Sequence, residues 1–270
     1  MTPEHARAAR ELLAFYAEAG VDALLGEEPL DRLSAAQIEK VPAAPEPRTV
    51  EAPHVAPPPR AAPDGAPAAP EVAVMAAREA ARSAASLHEL RDILMKFEGC
   101  ALRTTAKQLV FADGNPQARV MFVGEAPGRE EDLEGLPFVG RSGKLLDLMI
   151  AAIGLDRGGA YIANIIPWRP PGNRTPTPQE SQICLPFIQR QIELANPDVL
   201  VCLGGPASQT LLGVKEGIKR TRGRWFAFHT GTREIRAIAT FHPAYLLRSP
   251  LEKRFAWRDF VAIRKALSEA

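Results

Sequence analysis

Five segments of this 270-residue chain hold residue types that could bind or act on a polar ligand. The first, Gly124-Glu125-Ala126-Pro127-Gly128, follows an apolar run. Two glycines and a proline there make a tight turn whose amides can face a ligand. A charge run, Arg129-Glu130-Glu131-Asp132, comes next, and then Pro137-Phe138-Val139-Gly140-Arg141-Ser142-Gly143. The fourth segment starts at Asn164, closing a second apolar run, and continues through Trp168-Arg169-Pro170-Pro171-Gly172-Asn173-Arg174-Thr175-Pro176. An amide at a strand end needs hydrogen-bond partners, so an Asn is uncommon in that place. The fifth is His242-Pro243-Ala244-Tyr245-Leu246-Leu247-Arg248. Taken singly, each has an ordinary reading: a strand–helix turn, a solvated face, a core phenylalanine, a structural histidine. A phosphate-binding P-loop is excluded around Gly143-Lys144, because Phe138 and Leu145 stand where a glycine and a Ser or Thr are required.

The elements that must position these residues are legible from apolar periodicity. Short β-branched runs at 120–123, 161–166, 199–203 and 235–240 alternate with helical spacing at 142–153, 178–195, 205–212 and 251–267. Near-continuous apolar strands alternating with helices predict a short, mostly parallel sheet covered on both faces, a three-layer α/β/α sandwich. Ligands of such sheets bind beyond the strand C-terminal ends, where all five segments fall.

Upstream the character changes. Residues 4–20 carry helical spacing (Ala8, Leu12, Leu13, Phe15, Tyr16), and Pro and Ala dominate 41–70. We read 1–40 as a helical extension, 41–72 as a Pro/Ala linker of extended polyproline character, and 73–270 as the catalytic domain. Helical spacing resumes over 71–96 through Met75, Ala80, Leu87, Leu90, Ile93 and Leu94. The formal charge of +1 is uneven: residues 1–85 sum to −5 and the remainder to +6, a mild basic balance that fits a nucleic-acid partner. No apolar run reaches the ~18 residues of a membrane helix, and the N-terminus lacks a signal-peptide pattern. Three widely spaced cysteines, Cys100, Cys184 and Cys202, argue for a reduced cytoplasmic setting rather than a disulfide scaffold.

Together the five segments resemble uracil-DNA glycosylases, specifically the iron–sulfur (family 4) type, in order and spacing. The resemblance runs over about residues 88–268 and includes Gln191 after Cys184. It implies that Gly124, Glu125 and Ala126 line a uracil pocket, that Phe138 stacks on the flipped base, and that Asn164 reads its polar edge. His242 would donate to O2 of the departing uracil. Leu246, Leu247 and Arg248 would enter the duplex, with Arg169 and Arg174 also on DNA. Enzymes of the superfamily's first family carry an aspartate where this chain has Ala126. Glu131 is the first substitute for positioning the water, Asp132 the second, and Glu125 a further one. The stretch Trp168–Pro178 holds no histidine and no Arg-rich insert, so a covalent sugar intermediate of the kind found in a related branch is not expected, and the activity implied is monofunctional hydrolysis by a monomer.

One departure stands out. The family holds a [4Fe–4S] cluster on four cysteines, and the matching positions here are Phe97, Cys100, Trp168 and Cys184. Two thiols cannot build that cluster, so none is expected. Phe97 and Trp168 are large enough to fill its volume. Cys202, inside an apolar run, reads as core. Two rival functions follow: a glycosylase with broader specificity for damaged bases, or an idle damage-binding module. A mere DNA binder needs none of Phe138, Asn164 and His242.

Overall fold

Every residue of Val120–Gly124 and of Val199–Leu203 is buried, as expected for strands covered on both faces. A computed structural model describes residues 70–269, so the expected extension at 1–40 and most of the linker lie outside the described residues. Six strands form one sheet: β1 (Asp113–Gly114), β2 (Val120–Gly124), β3 (Tyr161–Asn164), β4 (Val199–Leu203), β5 (Trp225–His229) and β6 (Glu234–Thr240), in the order β1-β3-β2-β4-β6-β5. The four inner strands are parallel, and β1 and β5 pair antiparallel at the edges.

Side-chain alternation sorts the sheet's residues into two cores. Met121, Val123, Ala163, Leu200 and Cys202 face α1 (Pro70–Ser83), α2 (Leu87–Lys96) and α6 (Pro178–Ala195). Val120, Phe122, Ile162, Val199 and Val201 face α5 (Arg141–Ala151) and α10 (Lys253–Glu269). This is the three-layer α/β/α sandwich expected. The remaining helices, α3 (Leu102–Thr105), α4 (Arg129–Glu134), α7 (Gly205–Leu212), α8 (Ile218–Thr221) and α9 (Pro243–Arg248), are connections and turns around the sheet.

The sequence reading departs from the structure in three places. The edge strands β1 and β5 were not expected. β1 has two residues, and β5 buries only Phe228, so neither shows an apolar period; pairing with β3 and β6 defines them. Met75, expected on the apolar stripe, is 61% exposed. The buried stripe of α1 is instead Ala73, Ala77 and Ala81, whose small side chains let its backbone lie close on α6. That helix also begins at Pro70, inside the stretch assigned to the linker.

Candidate active site

The parallel strands bring the five segments to one edge. β2, the first of the parallel strands, has β3 on one side and β4 on the other. Successive connections therefore leave in opposite directions and open a crevice at the C-terminal ends. A cavity of about 670 Å³ occupies it, reached by the turn after β2, Asn164 at the end of β3, Gly204 after β4 and His242 after β6.

Phe138 forms a wall of this cavity in a backbone conformation that L-residues seldom adopt, φ +55°. Surrounding groups compel that conformation. Arg157 donates to the carbonyls of Pro137 (3.2 Å) and Phe138 and is itself gripped by Asp147 (2.8 Å) and Asp113. Gly143 lies under the Phe138 carbonyl, where any Cβ would overlap it. Gly124 sits between Phe138 and Asn164: an added Cβ would lie 2.7 Å from Phe138 Cζ and collide with Asn164 Oδ1. The two glycines thus let ring and amide approach closely.

Asn164 is buried at the end of β3, and its Oδ1 has no hydrogen-bond partner in the protein. Among the described residues it is the one buried side-chain oxygen or nitrogen left so. Such an orphan costs about 1–3 kcal/mol unless a ligand satisfies it. The ring of His242 lies 5.5 Å from that of Phe138, centroid to centroid. His242 is the N-cap of α9, and its Nδ1 accepts from the Ala244 amide at 3.1 Å. The neutral imidazole must then carry its proton on Nε2, as a donor. Burial, seconded by the positive charge of Arg248 and opposed by Glu131, depresses its pKa to about 4, so it is neutral at pH 7.

The carboxylates divide sharply. Glu131 lines the cavity, yet Oε2 accepts from the Gly128 amide (3.0 Å) and Oε1 from those of Val139 (3.1 Å) and Gly140 (3.0 Å). It ties the turn after β2 to the Phe138 loop, and its acceptor capacity is largely used. Asp132, the second choice for the water, is not in the cavity wall. It is buried on the other face of α4, where Oδ1 accepts from the Lys107 amide at 2.8 Å. Glu125 is the carboxylate that lines the cavity and accepts no hydrogen bond from the described residues. Burial raises its pKa.

Among the residues assigned to DNA, Arg174 and Arg248 reach the cavity rim. Arg169 does not; it donates to Asn173 Oδ1 (2.7 Å) and lies 3.9 Å from Asp132. Leu246 must be corrected. It is fully buried with Phe241 and Ala256, because α9 turns the i, i+3 pair Pro243 and Leu246 inward, so it is not free to enter a duplex. Leu247 is half-buried and outside the cavity wall. Sequence reasoning missed Arg157 and Gly204. The run Gly204-Gly205-Pro206 repeats the Gly/Pro signature after β2 and could have been found; Gly204 has φ +94° and backs onto His242. Arg157, 19 residues from Phe138, offers no local signal.

The four cluster positions all belong to, or pack on, the core beneath α1, α2 and α6. Cys100 and Cys184 are buried with Sγ atoms 4.0 Å apart. Trp168 is buried in the same core, and Phe97 packs edge-on against Phe187 at 4.9 Å. The Cys184 thiol donates to Cys100 Sγ, drawing the Cys100 pKa down and, together with burial, pushing that of Cys184 up. Among the described residues no group of three or more His, Cys, Asp or Glu side chains could hold a metal ion. Two thiols and two aromatic rings do not fit a four-cysteine cluster.

Residues 111–262 match the uracil DNA glycosylase superfamily. The chain is 40% identical over 182 residues to a type-4 uracil-DNA glycosylase of Archaeoglobus fulgidus, an alignment spanning 66% of this chain and 92% of that protein. The type-4 uracil-DNA glycosylase of Thermotoga maritima is 44% identical over 155 residues, 57% of this chain and 79% of its own length. That of Saccharolobus solfataricus is 37% identical over 188 residues, 68% and 87% respectively.

Proposed function

This chain belongs to the uracil DNA glycosylase superfamily, and from that premise we infer that it hydrolyses the N-glycosidic bond of uracil in DNA. The product is an abasic site, the entry to base excision repair. The observation that carries the reading is the unpartnered, buried Oδ1 of Asn164 beside the Phe138 and His242 rings.

A base must leave the helix to be reached, at a cost of a few kcal/mol. Stacking on Phe138 offsets part of this, about 1–3 kcal/mol per base. The Asn164 amide then pairs with the polar edge of uracil: Oδ1 accepts from N3–H and Nδ2 donates to O4. Cytosine presents an acceptor at N3 and a donor at C4, so both bonds fail and buried groups stay unpaired. Cleavage breaks the bond between C1′ and N1, with the electron pair leaving on uracil. The neutral His242 donates Nε2–H to O2, where negative charge accumulates in the transition state. Water supplies the new C1′–O bond. We assign its orientation and deprotonation to Glu125, whose oxygens are not engaged as those of Glu131 are. Glu131 instead positions the loop that carries Phe138.

The fit of the four cluster positions supports a protein that works without iron, Trp168 and Phe97 filling that part of the core. The test is single-turnover excision from a labelled single-uracil oligonucleotide, single- and double-stranded, with iron analysis of the same preparation. Abasic product and no stoichiometric iron are expected. An intact oligonucleotide overturns the activity; near four irons per chain with absorbance near 400 nm overturns the cluster-free reading.

A further inference from the structure

The cavity has two rims with different electrostatics. On the β3 side, the cations are already engaged. Arg174 makes a two-pronged pair with Glu180 at 2.6 and 2.8 Å, and Arg169, outside the cavity wall, is held by Asn173 and Asp132. On the β4 and β6 side, Ile218 lines the cavity from within the segment 214–224, which contains five basic residues and one acidic. Ile218 packs with Phe241, Tyr245 and Leu246, so the segment is anchored at the mouth.

The five cations have separate duties. Arg222 is committed to the buried Asp259, and Arg224 pairs with Glu216. Lys219 is 69% exposed; it stands beside Tyr245, which lines the cavity, and its ammonium is 3.6 Å from Glu252. Lys215 and Arg220 are exposed and have no ion pair among the described residues.

We propose that Lys215, Lys219 and Arg220 form a phosphate-binding rim that holds the DNA backbone on the side of the cavity opposite Arg174. The ligand is the phosphodiester backbone of the strand flanking the extruded base, recognised by charge and not by base identity. This rests on the glycosylase reading for the presence of DNA in the cavity mouth. Lys215 and Arg220 are unpaired among the described residues and Lys219 holds Glu252 only at 3.6 Å, whereas Arg174 is closely paired with Glu180, which favours a backbone contact on the α8 side.

The experiment uses the full chain, with Lys219→Ala/Arg220→Ala and the same pair plus Lys215→Ala, and Arg264→Ala on the distant half of α10 as the charge control. Binding to a duplex is measured against salt, and single-turnover excision at saturating DNA is measured for each variant, with a thermal melt to show folding. Each backbone cation lost should flatten the slope of log K against log salt by about 0.9. The double variant should therefore lose about two units of slope and the triple nearly three, with the rate at saturation unchanged. A slope equal to that of Arg264→Ala overturns the proposal. So does an unchanged slope with a slower saturated rate, which would place the segment in the cavity's own chemistry. If the parent binds and the variants lose slope as expected but the parent excises no uracil, the glycosylase reading fails while the phosphate rim stands.

Discussion

Asn164 and Trp168 lie four residues apart on one connection, yet they meet opposite demands. At Asn164 the side chain must offer one donor and one acceptor from a fixed place, and the surroundings preserve that place: Gly124 clears the space and Arg157 pins the Phe138 loop. At Trp168, where a ligand cysteine would be expected, the demand is to fill volume in the core beneath α6. Many apolar side chains of the right size satisfy a packing demand, whereas few satisfy a directional hydrogen-bonding one. The comparison explains how one part of a fold can change its chemistry entirely while the neighbouring pocket keeps its residues.

That contrast predicts variants with separable effects. The largest is Trp168→Ala. Removing a buried Trp should cost about 3–5 kcal/mol of stability, read as a lowered denaturation midpoint. Excision at saturating DNA and permissive temperature should remain near the parental rate. Loss of rate without loss of stability would mean that this region serves the chemistry directly. The mirror image is His242→Ala, where the single-turnover rate should fall by about 10²–10³ while uracil-DNA affinity changes little. A parental rate would show the pocket to be wrongly assigned. Between the two lies Arg157→Lys, which keeps the charge but loses the planar fork that grips two carbonyls and two carboxylates. We expect a roughly tenfold loss of rate from a displaced Phe138, together with weaker inhibition by free uracil. A purely structural arginine would lower the melting point and leave uracil inhibition unchanged.

The smallest effect concerns pH. Because His242 titrates near 4 when folded, the excision rate should show no inflection near 6.5. The acid limb should follow Glu125, above the usual carboxylate range, and Glu125→Gln should remove it. The sign for stability follows from the same shift. The unfolded chain protonates His242 first, so between pH 6.5 and 4 it binds more protons than the folded chain, and stability falls as pH falls across that window. His242→Ala should lose that share of the slope, as measured by denaturation at several pH values.

Much of the architecture was legible before the structure. The runs 199–203, 178–195 and 205–212 are a strand and two helices with the expected bounds, because apolar periodicity and flanking caps are local properties. The edge strands were hidden because pairing with a neighbour, not their own pattern, makes them strands. For the site, residue type gave Phe138 and His242 only ordinary readings; it was the resemblance of five ordered segments to a known family that singled out Phe138, Asn164 and His242.

What residue type could not decide was the state of each group. Glu131 looks as able to position water as Glu125; only the fold shows its oxygens taken by the Val139 and Gly140 amides, eight and nine residues away. Leu246 looks as exposed as Leu247 until α9 turns it into the core. Cys100 and Cys184, 84 residues apart, become neighbours only when α6 packs beneath the loop after α2. Sequence alone determined which chemical groups this protein possesses and which strand ends carry them, because those follow from covalent structure and local period. Which groups are left free to act was decided by tertiary structure, since a donor, acceptor or apolar surface is available only when no distant part of the chain has already satisfied it.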